Sequence, residues 1–199
     1  MTVRADIVTV YHNPVNHAQH LDLFSMVARY ELDGGLRLIG VDNRVNNRGF
    51  AAGCNLGAFH PDADAPIIGF LNPDVHVNGP FVAKVAATLD DTIVITGSRF
   101  GKPQRELDFW GVHDWVCGAA LFVRRDWFTA VGGFDVQFEW SHEESDLIRQ
   151  AQTDGRKCKS IALPLEHTSP VRDTPEDVAY KQFHFTQAQR RYIRKWSTS

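Results

Sequence analysis

The sequence predicts an α/β fold: a single mostly parallel sheet flanked by helices, with a smaller mixed portion in the C-terminal half. Three observations predict it. Short β-rich runs alternate with helix-period segments from residue 7 to residue 96, the pattern of strands joined by crossover helices. Ile67–Leu71 is apolar throughout and reads as a buried strand. Glycine and proline fall between the runs, as at Gly34-Gly35 and Pro80, where turns and helix starts need them.

In chain order, Ile7–Tyr11 is expected as a strand. Ala18–Tyr30 follows as a helix, with Leu21, Phe24, Val27 and Ala28 on one side. Leu36–Val41 is a strand, Phe50–Phe59 a helix despite its glycines, and Ile67–Leu71 the buried strand. Pro80–Leu89 reads as a helix and Ile93–Thr96 as a fourth strand. Gly97–Asp114 carries glycine, proline and mixed charge, and is expected to be a long irregular segment of the kind that is usually functional. Beyond it lie a strand over Trp115–Val123, a helix over Glu143–Thr153 closed by Gly155, a strand over Cys158–Leu163 and a long helix over Thr174–Trp196. Neither a repeat nor a linker is visible, so residues 1–199 are expected to form one domain of two unlike halves (1–97 and 98–173) with a C-terminal helix, 174–199.

Composition excludes several classes. At 199 residues, with 43% hydrophobic and 23% charged, the chain can bury a real core and is neither disordered nor fibrous. A formal charge of −3 argues against a protein whose main task is gripping a polyanion. Cys54, Cys117 and Cys158 are far apart and odd in number, which fits neither a disulfide framework nor a zinc site and suits a reducing, cytoplasmic setting. The N-terminal apolar stretch is too short for a signal peptide, and no run approaches the length of a transmembrane segment.

Four groups of residues can carry chemistry. Asn72-Pro73-Asp74 ends an apolar strand, where ligands of open α/β sheets sit, and a carboxylate there can hold Mg²⁺ or Mn²⁺ against phosphates. A plain Asn-Pro-Asp turn is the alternative. Asp42-Asn43 ends the second strand, and Asn47-Arg48-Gly49 leads to Asn55-Leu56-Gly57. Small residues at a helix start let backbone approach an anionic group, or simply pack helix on strand. Gly132-Gly133-Phe134-Asp135 precedes Ser141-His142-Glu143-Glu144-Ser145-Asp146. Ser141 and Glu144 have capping-box spacing, which explains one glutamate, whereas a general base explains another. His167 follows the last strand and is either a hydrogen-bonded surface residue or a metal ligand.

Taken in order, these motifs, together with Cys117-Gly118-Ala119-Ala120-Leu121-Phe122-Val123, resemble the family 2 glycosyltransferases of GT-A fold, particularly the rhamnosyltransferase-like group, over about residues 6–167. The resemblance implies a nucleotide-sugar-binding half before residue 97 and an acceptor and catalytic half after it. It places Asp42 and Asn43 at the nucleotide base or ribose, and Asn47, Asn55 and Asn72 near the donor. Asp74 becomes the carboxylate that binds a divalent metal, Mn²⁺ or Mg²⁺, with His167 completing that site. Gly118 and Ala119 line the sugar pocket, and Glu144 is the base, with Glu143 as the alternative. The implied reaction is an inverting transfer of a hexosyl or deoxyhexosyl group from a UDP-, dTDP- or GDP-linked donor. Two positions depart from the pattern: Asn72 replaces a first aspartate, and Glu144 stands where the base is usually aspartate.

A nucleotide-sugar-binding or degenerate transferase without efficient turnover is the main rival, since it keeps Asp74 but loses the base. A nucleotidyltransferase would carry a glycine- and arginine-rich loop near the N-terminus, where this chain has Asn13-Pro14-Val15-Asn16-His17. No GxGxxG, P-loop, HExxH or nucleophile elbow is present. Arg190, Arg191, Arg194 and Lys195 suit the end of a helix dipole, or else a membrane surface or polyanionic acceptor. Trp110, Trp115 and Trp140 are core residues or sugar-stacking faces on the acceptor side. The chain is short for this group, so its acceptor is expected to be a macromolecule such as a glycan, a protein or a modified nucleic acid, or a partner subunit is expected to complete the site.

Overall fold

The computed structural model describes residues 4–30, 35–101, 105–108, 111–167 and 175–197. A six-stranded sheet is built from β1 (Ala5–Tyr11), β2 (Leu36–Asp42), β3 (Ile67–Leu71), β5 (Ile93–Ser98), β8 (Ala120–Arg124) and β9 (Lys157–Ile161), in the spatial order β2-β1-β3-β8-β5-β9. β1 pairs in parallel with β2 and β3, and β5 with β9, whereas β8 runs antiparallel to both neighbours. The predicted sheet is therefore present and mostly parallel, with one reversed strand at its centre. That reversal puts the start of β8 beside the end of β3, with Leu71 opposite Ala120.

Helices cover both faces. β3 is buried along its whole length, as a strand covered on both sides must be. On one face α2 (Phe50–Ala58), α4 (Arg125–Ala130) and α5 (Glu143–Thr153) pack through Cys54, Phe128, Leu147 and Ile148 onto Val8, Val10, Ile68 and Phe70. On the other, α1 (Pro14–Tyr30) and α3 (Val82–Ala86) pack through Leu23, Val27 and Val85 onto Ile7, Leu71 and Phe122. The last helix, α6 (Pro175–Trp196), seats Ala188, Tyr192 and Trp196 around Phe138.

Most predicted elements are found, and the differences have local causes. The strand expected from Trp115 begins only at Ala120, because Cys117–Ala120 form a turn closed by the Ala120 N–H on the Cys117 carbonyl. Apolarity runs on through Val116, which is buried without being a strand residue. The helix expected over Pro80–Leu89 is reduced to Val82–Ala86, with Phe81 as its N-cap. Two small pairings emerge from stretches that carry no strand signal. β4 (Val75–Val77) pairs with β10 (Leu165–His167), and β6 (Arg105–Asp108) pairs with β7 (Gly111–Asp114) inside the segment expected to be irregular. Thr174, expected to open the last helix, and Trp110 lie outside the described residues. No helix among the described residues is long and apolar enough to cross a membrane.

Candidate active site

The carboxyl ends of β1, β2 and β3 and the entry to β8 share one edge of the sheet. Asp74 follows β3, and β4 begins immediately after it. Because Val75 stands opposite His167 in the β4–β10 pair, the histidine is brought against the aspartate: Nε2 of His167 lies 3.3 Å from Oδ1 of Asp74. Hydrogen bonding to Asp74 raises the His167 pKa against the effect of burial. Two ligands at right angles on an ion held at about 2.1 Å stand about 3 Å apart, so this pair suits neighbouring corners of an octahedral shell. Among the described residues no group of three His, Cys, Asp or Glu side chains is arranged to hold a metal. The pair by itself offers two possible ligands, fewer than a closed metal site needs.

Asn72 connects this corner to the opposite one. Its N–H donates to the Ala119 carbonyl at 2.9 Å. Next to Ala119, a Cβ placed on Gly118 would sit 3.6 Å from Cδ of Glu144 and 3.7 Å from Oε1 of Glu143. Burial lifts the thiol of the neighbouring Cys117 to about 11, and Glu144, Glu143 and Asp74 add to the rise as like charges. Asp74 and Glu144 therefore face one short segment, Cys117–Ala119, rather than opposite surfaces.

The glutamates reach Gly118 through an unusual entry. Ser141 and His142 both adopt left-handed backbone, with φ of 73° and 68°, a conformation that side-chain-bearing residues pay for and that clusters at functional sites. His142 is the N-cap of α5 and makes no side-chain capping bond. The capping box expected from Ser141 and Glu144 is not formed. A helix start ordinarily favours ionised carboxylates, but at Glu143 burial and then the neighbouring Glu144 push the carboxyl well above its usual range. The third acid of the turn has a structural task. Asp146 accepts hydrogen bonds from Lys195 Nζ and Trp196 Nε1, both at 2.9 Å, and Lys195 also reaches Asp135 at 2.9 Å. Lys195 thus ties α6 to the Gly-Gly-Phe-Asp turn and to α5, a closer account of it than complementing its own helix dipole.

The asparagine-rich segment is used differently from expectation. Buried Asn43 donates to the Asn47 side chain (3.3 Å) and the Gly49 carbonyl (3.1 Å), and its own oxygen accepts from the Arg48 N–H. Asn47 also accepts from the Gly49 N–H at 3.1 Å. Asn55 spends both ends of its amide on the backbone of Phe134, at 2.8 and 2.9 Å, and neighbouring Gly133, at φ 83°, has no space for a Cβ against it. The start of α2 is closed as well, since the Phe50 N–H donates to the Glu139 carbonyl. These asparagines shape the loop and lock α2 onto the turn before α5. Asp42 is exposed at the end of β2 and gripped by Arg44, whose hydrogen bonds hold its pKa at about 2. The Arg44 guanidinium also lies over the Tyr11 ring at 5.4 Å.

Three further residues stand at this edge. Cys117 has just been described. Phe100, at φ 43°, places its ring 5.6 Å from that of His167, and Trp115 donates its indole N–H to Ser145. Of the three, Phe100 alone had not been singled out, and half-buried Trp140, of the same tryptophan trio as Trp115, lies just before the strained turn.

No protein-family model and no curated protein sequence matches the chain. Solved structures do. The catalytic domain of Drosophila beta1,4galactosyltransferase 7, in complex with xylobiose, superposes with a TM-score of 0.61 at 13% identity, covering 91% of this chain and 80% of that one. The mannosyltransferase PcManGT of Pyrobaculum calidifontis, in complex with GDP-Man and Mn²⁺, gives 0.62 at 15% identity over 96% of this chain and 65% of that one. A glycosyltransferase involved in glycosylation of the major capsid of PBCV-1 gives 0.53 at 10% identity over 91% and 98%. The fold is GT-A. At these identities the likeness concerns architecture alone.

Proposed function

We propose that this chain is an inverting, metal-dependent glycosyltransferase that moves a sugar from a nucleotide-diphosphate donor to an acceptor hydroxyl. The observation that carries the reading is the Asn72–Ala119 hydrogen bond beside the approach of Gly118 to Glu144. It stands a phosphate-side carboxylate and a base-side carboxylate around one small-residue segment. Asp74 and His167 would hold Mn²⁺ or Mg²⁺, which when bound supplies charge stabilisation to the departing diphosphate. Mn²⁺ in the Pyrobaculum mannosyltransferase complex, and manganese with UDP-Gal in a complex of the Drosophila enzyme, favour the same ion and donor class here.

Glu144 takes the proton of the acceptor hydroxyl as its oxygen bonds to the anomeric carbon from the face opposite the diphosphate. The bond from that carbon to the diphosphate oxygen breaks, and the nucleoside diphosphate leaves with the electron pair. Gly118 and Ala119 leave room for the sugar, while Asp42, ordered by Arg44, faces the ribose or base. Residues 1–97 would supply the donor side and 98–173 the acceptor side.

A melting panel of UDP-, dTDP- and GDP-sugars with Mn²⁺ tests the reading. A ligand at one hundred times its Kd stabilises the folded state by about 2.7 kcal/mol, enough to single out the donor. Asp74→Ala should remove the Mn²⁺-dependent part of the shift and donor hydrolysis with it. If no nucleotide sugar raises the wild-type melting temperature in Mn²⁺, the reading is wrong.

A further inference from the structure

Two consecutive glutamates lie within van der Waals reach of the same glycine, and they are not equivalent. Successive helix residues point about 100° apart, so Glu143 and Glu144 would ordinarily diverge. Here the helix is entered through the left-handed pair Ser141-His142, and both carboxyl groups reach Gly118. Glu143 is 7% exposed, whereas Glu144 is only half-buried. Oε2 of Glu143 is buried and receives no N–H or hydroxyl hydrogen. The Cδ of Glu144 and Oε1 of Glu143 stand 3.6 and 3.7 Å from the same point beside Gly118, and two acids that converge in this way can share a hydrogen bond only if one of them carries a proton.

We propose that Glu143 is a positioning residue that keeps its proton and donates it in a hydrogen bond to the carboxylate of Glu144, the base. This rests on the glycosyltransferase reading and settles which glutamate does what within it. The surroundings of Glu143 supply the reason. From α2 the buried thiol of Cys54 acts on it, and from the segment before β8 the thiol of Cys117 does. Glu144 acts from its own helix, the backbone N–H groups of Ser141 and Glu143 partly offset burial, and neighbouring His142 is held neutral by its own burial. On the α6 side, Lys195 is committed to Asp135 and Asp146. A carboxylate in such company would be a buried charge facing other acids, which is costly. A carboxylic acid there is a donor instead. It supplies the buried oxygen with its own hydrogen and fixes the Glu144 carboxylate toward Gly118.

Infrared spectroscopy of the intact protein reads this directly. A protonated-carboxyl carbonyl band should persist in the wild type from pH 6 to pH 8, disappear in Glu143→Gln and remain in Glu144→Gln. Turnover of UDP-galactose or GDP-mannose with Mn²⁺ gives the second readout. Glu143→Gln keeps an N–H donor to Glu144 and should retain kcat within about three-fold, while Glu144→Gln should lose about 10²- to 10⁴-fold. Glu143→Leu, which fills the space without a donor, should lower kcat at least about ten-fold, the worth of one charge-assisted hydrogen bond, with KM unchanged. A band that survives Glu143→Gln, or turnover lost in Glu143→Gln and kept in Glu144→Gln, overturns the assignment. Should Glu143→Gln not fold, loss of the band in Glu144→Gln overturns it alone. Failure of the underlying reading looks different, as wild-type protein that no nucleotide sugar stabilises in Mn²⁺, and it removes the base that Glu143 is said to position.

Discussion

The segment from Asp42 to Asn55 and the turn from Glu139 to Asp146 are both polar, both glycine-flanked and both at the same edge of the sheet. They differ in where their polar groups go. Asn43, Asn47 and Asn55 are consumed within the protein, by Gly49, Arg48 and Phe134. In the acidic turn Asp146 is consumed that way, by Lys195 and Trp196, and Ser145 by Trp115, while Glu143 keeps a buried oxygen that no N–H reaches. Polar residues that satisfy one another build scaffolding. Polar residues left poorly satisfied, and held so by strained backbone at Ser141 and His142, mark where a ligand's chemistry is expected.

This contrast can be broken by substitution. The largest effect is expected at Glu144: the glutamine variant should lose about 10²- to 10⁴-fold in kcat while its melting temperature stays within a few degrees of wild type. Asn55→Ala should do the reverse. It leaves the N–H and carbonyl of Phe134 without their partner, at about 2–3 kcal/mol, or roughly 5–10 °C of melting temperature, while the donor Kd stays unchanged. An Asn55→Ala protein of normal stability that no longer binds donor would invert the comparison.

A pH series sharpens it further. The Glu143 carboxyl is raised in the folded state, so its stabilising share is complete below the ordinary carboxylate range and is lost as pH rises through the raised value. Glu143→Gln has nothing to titrate. Its stability relative to wild type should therefore increase with pH, by up to about 1.4 kcal/mol per unit in the titrating range. Denaturant melts at pH 5 and pH 8 check the sign. The smallest effect is expected at Asp42, already gripped by Arg44 in the open: Asp42→Asn should weaken donor binding by about two- to ten-fold, the scale of one hydrogen bond.

The sheet strands and the larger helices were legible because periodicity and composition act locally, and Glu143–Thr153 matches to the residue. The roles of single polar residues were not. Asn55 in a small-residue helix looks like a ligand contact until its partner, 79 positions away, is known. Ser141 and Glu144 have the spacing of a cap, and nothing in their letters announces that the backbone there is left-handed. The pairing of Val75 with His167 was equally invisible, since a three-residue strand has no period to read, yet that pairing alone carries the histidine to Asp74. What sequence order did convey is that Asp74, Gly118 and Glu144 belong to one edge, and the coordinates bring them there.

The reversed central strand has a consequence for how such a protein can diversify. Every other strand of the main sheet delivers its exit to the reactive rim, so lengthening those exits would disturb the nucleotide side. β8 delivers its inlet, which is preceded by the β6–β7 pair and by the turn that holds Gly118. Under the proposed function, changes to that inlet would alter what docks as acceptor, while Asp74, at the exit of a parallel strand, would keep its place beside the diphosphate.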